Sequence, residues 1–465
     1  MVFYLVYPNL RLSDHHMNRI TQSFARRCML ASSISAALII NVFCGCAPVG
    51  EEGSQREPVE VDFWVMWTGR EFEAMADLVD KFNGSQDEIR VNALSVSDIQ
   101  RKLLIATAGN DAPDVAMLTS DILPQFADKN ALMPFSSYLD IMQVELDDYV
   151  PVFLELCSLN DELYGLPAST VSLALHWNKQ MFREVGLDPD VAPRTIDELD
   201  SFAEKLTRKD ESGDYISLGF LPTDPGWWPF SWTLWFGGSW VGEDGTPTAN
   251  APENIAAFEW VRSYSERFGV RELQNFSSSM GNFSSAQNAF FSGKCAMTLQ
   301  GVWLSNFIEE YTPDLDWGAA AFPSSNNASS RITLVQCDAL VIPTNARNVD
   351  AAAQFIGYIQ QQESLNYLAR RHGKFGPLLD NEALLVDHPN EKIGLFVELS
   401  ESPDVRILPR SPIWPEYAAE IGQAFESVWL GSKTATEALD DVQKKMEKKW
   451  ADYLRIREAI ANKRK

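Results

Sequence analysis

The chain has 465 residues, with 39 Lys plus Arg against 64 Asp plus Glu for a net charge of −25, and 14 Trp among 45% hydrophobic residues. That composition excludes a disordered tail and a small disulfide scaffold, and at about 100–200 residues per domain the length predicts two or three domains with real cores. So negative a field argues against nucleic acid, whose phosphates need Lys and Arg.

Arg26-Arg27 precede the apolar stretch 29–43, whose roughly 15 residues suit a signal-peptide h-region and fall short of the ~20 that a spanning helix needs. Phe43-Cys44-Gly45-Cys46 follows, and a small residue directly before a cysteine resembles the bacterial lipobox. Residues 1–45 are therefore expected to be a signal peptide, Cys46 the lipid-attachment residue, and the acidic, Pro- and Gly-containing 46–58 a tether. An ordinary secretory signal or a short membrane anchor is the alternative. Removing 1–45 deletes four Arg and one Asp and takes the net charge to −28. Beyond Cys46 remain Cys157, Cys295 and Cys337, an odd number without C-x-x-C spacing. They indicate neither a disulfide framework nor a zinc site, and are expected to behave as small buried hydrophobes.

Residues 59–66 alternate and then run apolar, as a strand entering a buried sheet does. A helix over 71–82 places Phe72, Met75, Leu78, Val79 and Phe82 at three- and four-residue steps and ends at Asn83-Gly84. A strand over 89–94, a helix over 98–108 and a strand over 114–118 complete a parallel α/β pattern. Asn160 to Gly165 reads as a hairpin turn, 171–177 as a strand, 179–185 as a helix, and 195–206 as a helix capped by Thr195. Helices are predicted near 255–268 and 284–291, a short strand over 296–299, and a helix starting within 302–310. Residues 324–330 form a low-complexity loop before a strand over 333–342 and a helix over 349–361. The tail 418–465 reads as helical, with Phe425, Val428, Trp429, Leu439, Val442, Met446 and Trp450 in an apolar stripe and its Lys cluster on a solvated face.

His176, His372 and His388 lack metal-ligand spacing, and no nucleophile-elbow, P-loop or dinucleotide fingerprint is present. Neither metal nor cofactor is expected. A glycosidase or lyase needs only two carboxylates and so stays open as an alternative. Asp210 to Asp214 has calcium-type oxygens without the twelve-residue pattern and reads as a turn.

Five of the Trp lie between Trp227 and Trp240. Trp232 and Trp235, three apart, suit a core helix, whereas Trp227 and Trp228 stand in a Pro- and Gly-flanked loop that suits ligand contact. An aromatic ring matches the C–H face of a pyranose while its hydroxyls meet polar groups.

The block Phe290-Phe291-Ser292-Gly293-Lys294-Cys295-Ala296-Met297-Thr298-Leu299-Gln300-Gly301-Val302-Trp303 is similar to the F-x-x-G-x-x-A-M-x-x-x-G-x-W pattern of extracellular solute-binding proteins of bacterial ABC sugar importers. Ala112-Pro113-Asp114-Val115 with Asp121, Tyr164-Gly165-Leu166-Pro167, Trp177-Asn178-Lys179, Gly186-Leu187-Asp188 and Phe236-Gly237-Gly238 fall in that family's order, so the chain resembles the family from about 59 to 431.

The resemblance implies a two-lobed α/β fold of the periplasmic-binding type, with 59–168 and 335–374 in one lobe, 169–334 and 375–465 in the other, and a sugar in the cleft between them. It implies a monomer that is exported, lipid-anchored at the periplasmic or cell-surface face and delivers to ABC permease subunits. Carried over by position, Trp303 and Trp227 match aromatic stackers, Asp121 matches a carboxylate accepting sugar hydroxyls, and Trp67, Thr68 and Arg70 occupy the ligand loop after the first strand. Trp228 joins Trp227 in the aromatic loop, and Trp414 lies near another aromatic position. Trp67 replaces a polar group, an Asp-Arg pair becomes Asp121-Ile122, and Val171 stands where an acid is usual, leaving Ser169 and Thr170 as polar contacts. These departures put maltose itself in doubt. Asp338 in an apolar strand is expected to be functional, because an unpartnered buried carboxylate costs several kcal/mol. Asp121 as a helix cap, Arg70 as a surface charge and Trp414 as a packed anchor are the bland alternatives. A peptide or a phosphorylated polyol is the alternative ligand.

Overall fold

The computed structural model describes residues 57–464 apart from Pro225, Trp227, 283–284 and 326–328. The expected signal peptide, Cys46 and most of the expected tether lie outside the described residues, as does Trp227. No helix among the described residues is long and apolar enough to cross a membrane.

β1 (Val59–Val65) pairs in parallel with β2 (Ile89–Ser95) from Val59↔Ile89 to Val65↔Ser95, and with β3 (Val115–Thr119) on its other edge. The helix Gly69–Ser85 connects the first two strands and buries Met75, Leu78, Val79 and Phe82. It runs past the predicted Asn83-Gly84 stop because the Asn83 amide is spent across the connection, donating to and accepting from the Val91 backbone at 3.0 and 2.8 Å. The predicted hairpin is β4 (Ser158–Leu159) and β5 (Glu162–Leu163), with Asn160 and Asp161 at φ of 51° and 62°, the left-handed pair that a two-residue turn requires.

β6 (Leu166–Asn178) is thirteen residues long, buried throughout, and starts five residues before the predicted strand. The ribbon β7 (Arg208–Lys209) and β8 (Tyr215–Ser217) precedes β9 (Met297–Gly301), β10 (Trp317–Ala320), β11 (Thr333–Val341) and β12 (Val405–Arg406). The main sheet runs β10-β6-β11-β3-β1-β2, with β9 also on β6 and β12 on β11. The first part of β6 pairs antiparallel with β11, and its last part is flanked by β9 and β10.

This division of one strand gives two lobes with two hydrophobic cores. Leu166, Ala168 and Ala174 of β6 join the first core with Phe63, Phe82 and Phe355, whereas Val171, Leu173, Leu175 and Trp177 join the second. β11 likewise sends Leu334 to the second core and Val335, Cys337, Ala339, Leu340 and Val341 to the first. The segment 375–399, grouped by the resemblance with the second lobe, places Phe375, Leu378, Leu384, Ile393, Phe396 and Leu399 in the first core. The second core holds Trp177, Trp232, Trp235, Trp240, Trp260, Trp414 and Trp429, half of the chain's Trp.

Two expectations are corrected. Residues 285–291 are turns rather than a helix, because Asn288 Oδ1 accepts the Phe290 N–H at 2.9 Å and Gly293 takes a φ of +69°. The tail is two helices, Trp414–Trp429 and Ala435–Arg464, separated at Gly431 where φ is +72°.

Candidate ligand-binding cleft

At the junction of the two cores lies a cleft of about 660 Å³, within the usual range for small-molecule sites. Its wall comes from the loop after β1 (Trp67, Thr68, Arg70, Glu71), from β11 (Gln336, Asp338), from Lys374, and from 303–311, with Trp228 beside Trp303. In the loop, Gly69 has a φ of +54°, a left-handed turn that glycine adopts without strain, and the chain enters the helix Gly69–Ser85 there.

Trp67 is 4% exposed, and its Nε1–H donates to Asp338 Oδ2 at 3.0 Å while its ring meets the His372 ring edge-on at 4.6 Å. Asp338 sits at a break in register: it opposes Ser169, and the next residue, Ala339, opposes Pro167. A proline cannot complete the ladder, and bulges of this kind redirect a side chain beside a site. Burial pushes the Asp338 carboxyl above its ordinary range; nearby Lys374 and the Trp67 bond pull the other way without cancelling it.

Lys374 is 4% exposed, with Nζ 3.0 Å from Glu71 Oε1 and donating to Ser169 Oγ at 3.1 Å. The same ammonium lies 5.8 and 5.5 Å from the Trp67 and Trp303 ring centroids, within cation–π reach of both. Burial works against the Glu71 charge, but the Lys374 ammonium beside it outweighs this and holds Glu71 below the usual carboxylate range. Burial also drives the His372 imidazole down to about 4, so it is neutral at physiological pH.

The third wall is aromatic. Trp303, Phe307 and Tyr311 follow one another at four-residue steps into and along the helix Leu304–Tyr311, so they fall on one face. Phe307 and Tyr311 are stacked at 6.2 Å and 11°, and Trp228 meets Trp303 at 5.9 Å. A Cβ at Gly301 would lie 2.1 Å from the Trp303 ring, which explains the G-x-W spacing: the indole folds back over the strand end that only glycine leaves open.

Among the sequence-predicted residues, Trp67, Thr68, Arg70, Trp228, Trp303 and Asp338 line the cleft together. Arg70 also lies 3.7 Å from Glu309, an exposed and therefore weak pair. Ser169 stands behind the wall holding Lys374. Asp121 is not among the lining residues; its carboxyl is raised by burial and hydrogen-bonded by Thr119, which does line the cleft. Two expectations are corrected by burial. Thr170 is fully buried and donates its hydroxyl to the Phe375 carbonyl at 2.6 Å. Trp414 is fully buried in the second core, 5.5 Å from Phe230 and 5.8 Å from Tyr417, and does not reach the cleft.

Sequence reasoning missed Lys374, Glu71, Asn306, Phe307, Tyr311 and Gln336. The four-residue aromatic step after Trp303 was a usable signal for Phe307 and Tyr311; nothing local marks Lys374. No cluster of metal-ligating side chains occurs among the described residues.

The family profile described as bacterial extracellular solute-binding protein matches residues 67–364. A binding protein of Brucella abortus is 26% identical over 75% of this chain and 82% of its own length. The sn-glycerol-3-phosphate-binding periplasmic protein UgpB of Yersinia pseudotuberculosis is 22% identical over 83% of this chain and 91% of its own. Among solved structures, CpMnBP1 with mannobiose bound superposes with a TM-score of 0.77 at 25% identity, covering 84% of this chain and all of that one. The Listeria monocytogenes ABC substrate-binding protein in complex with cycloalternan gives 0.73 at 19% identity over 85% of this chain and 99% of that one, a likeness of fold.

Proposed function

This chain belongs to the bacterial extracellular solute-binding proteins, and from that premise we propose that it captures a neutral sugar or short oligosaccharide in the cleft and delivers it to an ABC permease. The observation that carries this reading is the aromatic face of Trp303, Phe307 and Tyr311, set in one cleft with hydroxyl-binding groups on Thr68, Asn306, Gln336 and Asp338. Aromatic faces take the C–H patches of a sugar ring, and carboxylate and amide oxygens accept its hydroxyls. The mannobiose complex of a structural neighbour points the same way.

The UgpB relative raises a second reading, a phosphorylated polyol. The wall counts against it: Glu71, Glu73, Glu310 and Asp338 face only two cations, Arg70 and Lys374, and Lys374 is already paired with Glu71. An anion would enter a field of its own sign. A glycosidase needs a cooperating pair of carboxyl groups, and Glu71, paired with Lys374 and held below the usual carboxylate range, is not placed as a proton donor. We take the protein to be a receptor rather than an enzyme, a monomer, and tethered through a lipid on Cys46.

Intrinsic Trp fluorescence tests the ligand. Titration with mannobiose, other neutral oligosaccharides and sn-glycerol 3-phosphate is expected to give a saturable, micromolar-range change with a neutral glycan, no product, and no response to the phosphate. A glycan panel that leaves both fluorescence and melting temperature unchanged rejects the sugar reading.

A further inference from the structure

Cys157 and Cys337 are 180 positions apart in sequence, yet their sulfurs lie 3.5 Å apart and both residues are fully buried. Cys157 ends the helix Pro151–Leu156, and Cys337 is in the middle of β11, where its N–H donates to Ser120 Oγ at 3.1 Å and its carbonyl accepts from the Ser120 N–H at 2.9 Å. Both side chains belong to the first core. Cys295 is in the second core, its thiol directed at the Met297 carbonyl at 3.3 Å, and has no part in this contact. The odd cysteine count thus resolves into one facing pair and one solitary thiol.

Members of an extracellular family work outside the reducing cytoplasm, where facing thiols are oxidised rather than kept free. We propose that Cys157 and Cys337 are a disulfide-forming pair, closed by thiol–disulfide exchange with an oxidised dithiol-exchange protein of the export compartment. One thiolate attacks the carrier's disulfide, forming a mixed disulfide and releasing one carrier thiol. The second thiolate then attacks the sulfur of that mixed bond, forms Cys157–Cys337 and releases the second carrier thiol. The pair loses two protons and two electrons, and the carrier's disulfide takes up both.

The geometry sets the timing. Neither sulfur is open to a carrier in the folded core, and burial holds the Cys337 thiol well above its ordinary pKa, so exchange belongs to folding, before the helix Pro151–Leu156 closes over β11. The consequence falls on the cleft. Cys337 stands between Gln336 and Asp338, so the bridge ties the strand that presents both to the body of the first lobe.

The test uses the full chain isolated from an exporting host, and the same chain refolded with oxidised glutathione, each alkylated and digested without reductant. A peptide pair joined through Cys157 and Cys337, split on reduction, is expected in at least one sample. Closure of so long a loop should raise the melting temperature of the bridged protein by roughly 5–10 °C, a gain lost with dithiothreitol. Cys157→Ala/Cys337→Ala should not respond to dithiothreitol, whereas Cys295→Ala should respond as the natural chain does. Should the double variant fail to fold, the digest decides alone. Both thiols alkylated in both samples, or a cross-link through Cys295 instead, overturns the proposal.

Discussion

Lys374 is the residue on which the cleft's electrostatics turn. Its ammonium contacts Glu71 of the first lobe, Ser169 at the crossing strand and the ring of Trp303, so three separate stretches share one buried charge. Removing one partner of a buried pair leaves the other uncompensated, at a cost of about 3–5 kcal/mol. Lys374→Met should therefore destabilise the fold by about 3 kcal/mol, toward the low end because Glu71 retains some contact with solvent. Chemical denaturation measures this, and Lys374→Met/Glu71→Gln should recover at least half of the loss. If the double variant is less stable than the sum of the two single ones, the pair is not the source of the effect. No sequence window marks Lys374, because its partners come from positions 71, 169 and 303, and only the closed fold brings them together.

The helix Leu304–Tyr311 is the element that gives the cleft its apolar face, and its pattern follows from spacing alone. Residues four apart on a helix share one side, and Phe307 and Tyr311 continue the side that Trp303 begins. Both are half-buried rather than core residues. Phe307→Ala and Tyr311→Ala are each expected to weaken sugar binding roughly tenfold, about 1.4 kcal/mol, and to shift the melting temperature by only a few degrees. Calorimetric titration separates the two effects, and unchanged affinity in both variants removes this face from the site. Elements with strong periodicity, such as the helix Gly69–Ser85 and strands β1 to β3, were legible in the sequence within a few residues. The predicted 284–291 helix was not, because the Asn288 side chain accepts a backbone N–H locally and favours turns. The length of β6 was also hidden: a strand shared by two cores is buried on both faces throughout, and Pro167, Ser169, Thr170 and Ser172 interrupt the apolar run that would mark where it begins.

At the scale of the whole molecule, half of the Trp build the core of the second lobe, Trp414 among them, whereas Trp67, Trp228 and Trp303, which the sequence alone groups with it, line the cleft. Burial also sets how the folded body responds to acid. His176, stacked between Trp317 and Phe396 on β6, and His372, beside Trp67, are both fully buried and neutral, held down by burial to about 3 and about 4. Unfolding releases each to its ordinary value near 6.5, so below that pH the unfolded chain binds protons the native chain refuses. Stability is then full above pH 6.5 and is lost as pH falls toward each depressed value, by roughly 1.4 kcal/mol per unit for each histidine. Asp224, raised by burial to about 6, acts with the opposite sign from pH 6 downward, and its partial exposure weakens that offset. For these three groups the balance at pH 4.5 is a loss of roughly 3 kcal/mol, reduced by Asp121 and Asp338, which burial also raises, and seen as a melting temperature below that at pH 7. His372→Gln removes one of the two titrations, so its melting temperature should fall less steeply between pH 6.5 and 4.5 than that of the natural chain. Identical slopes for the two proteins would show that His372 takes up its proton in the folded state and that its burial does not govern the acid response.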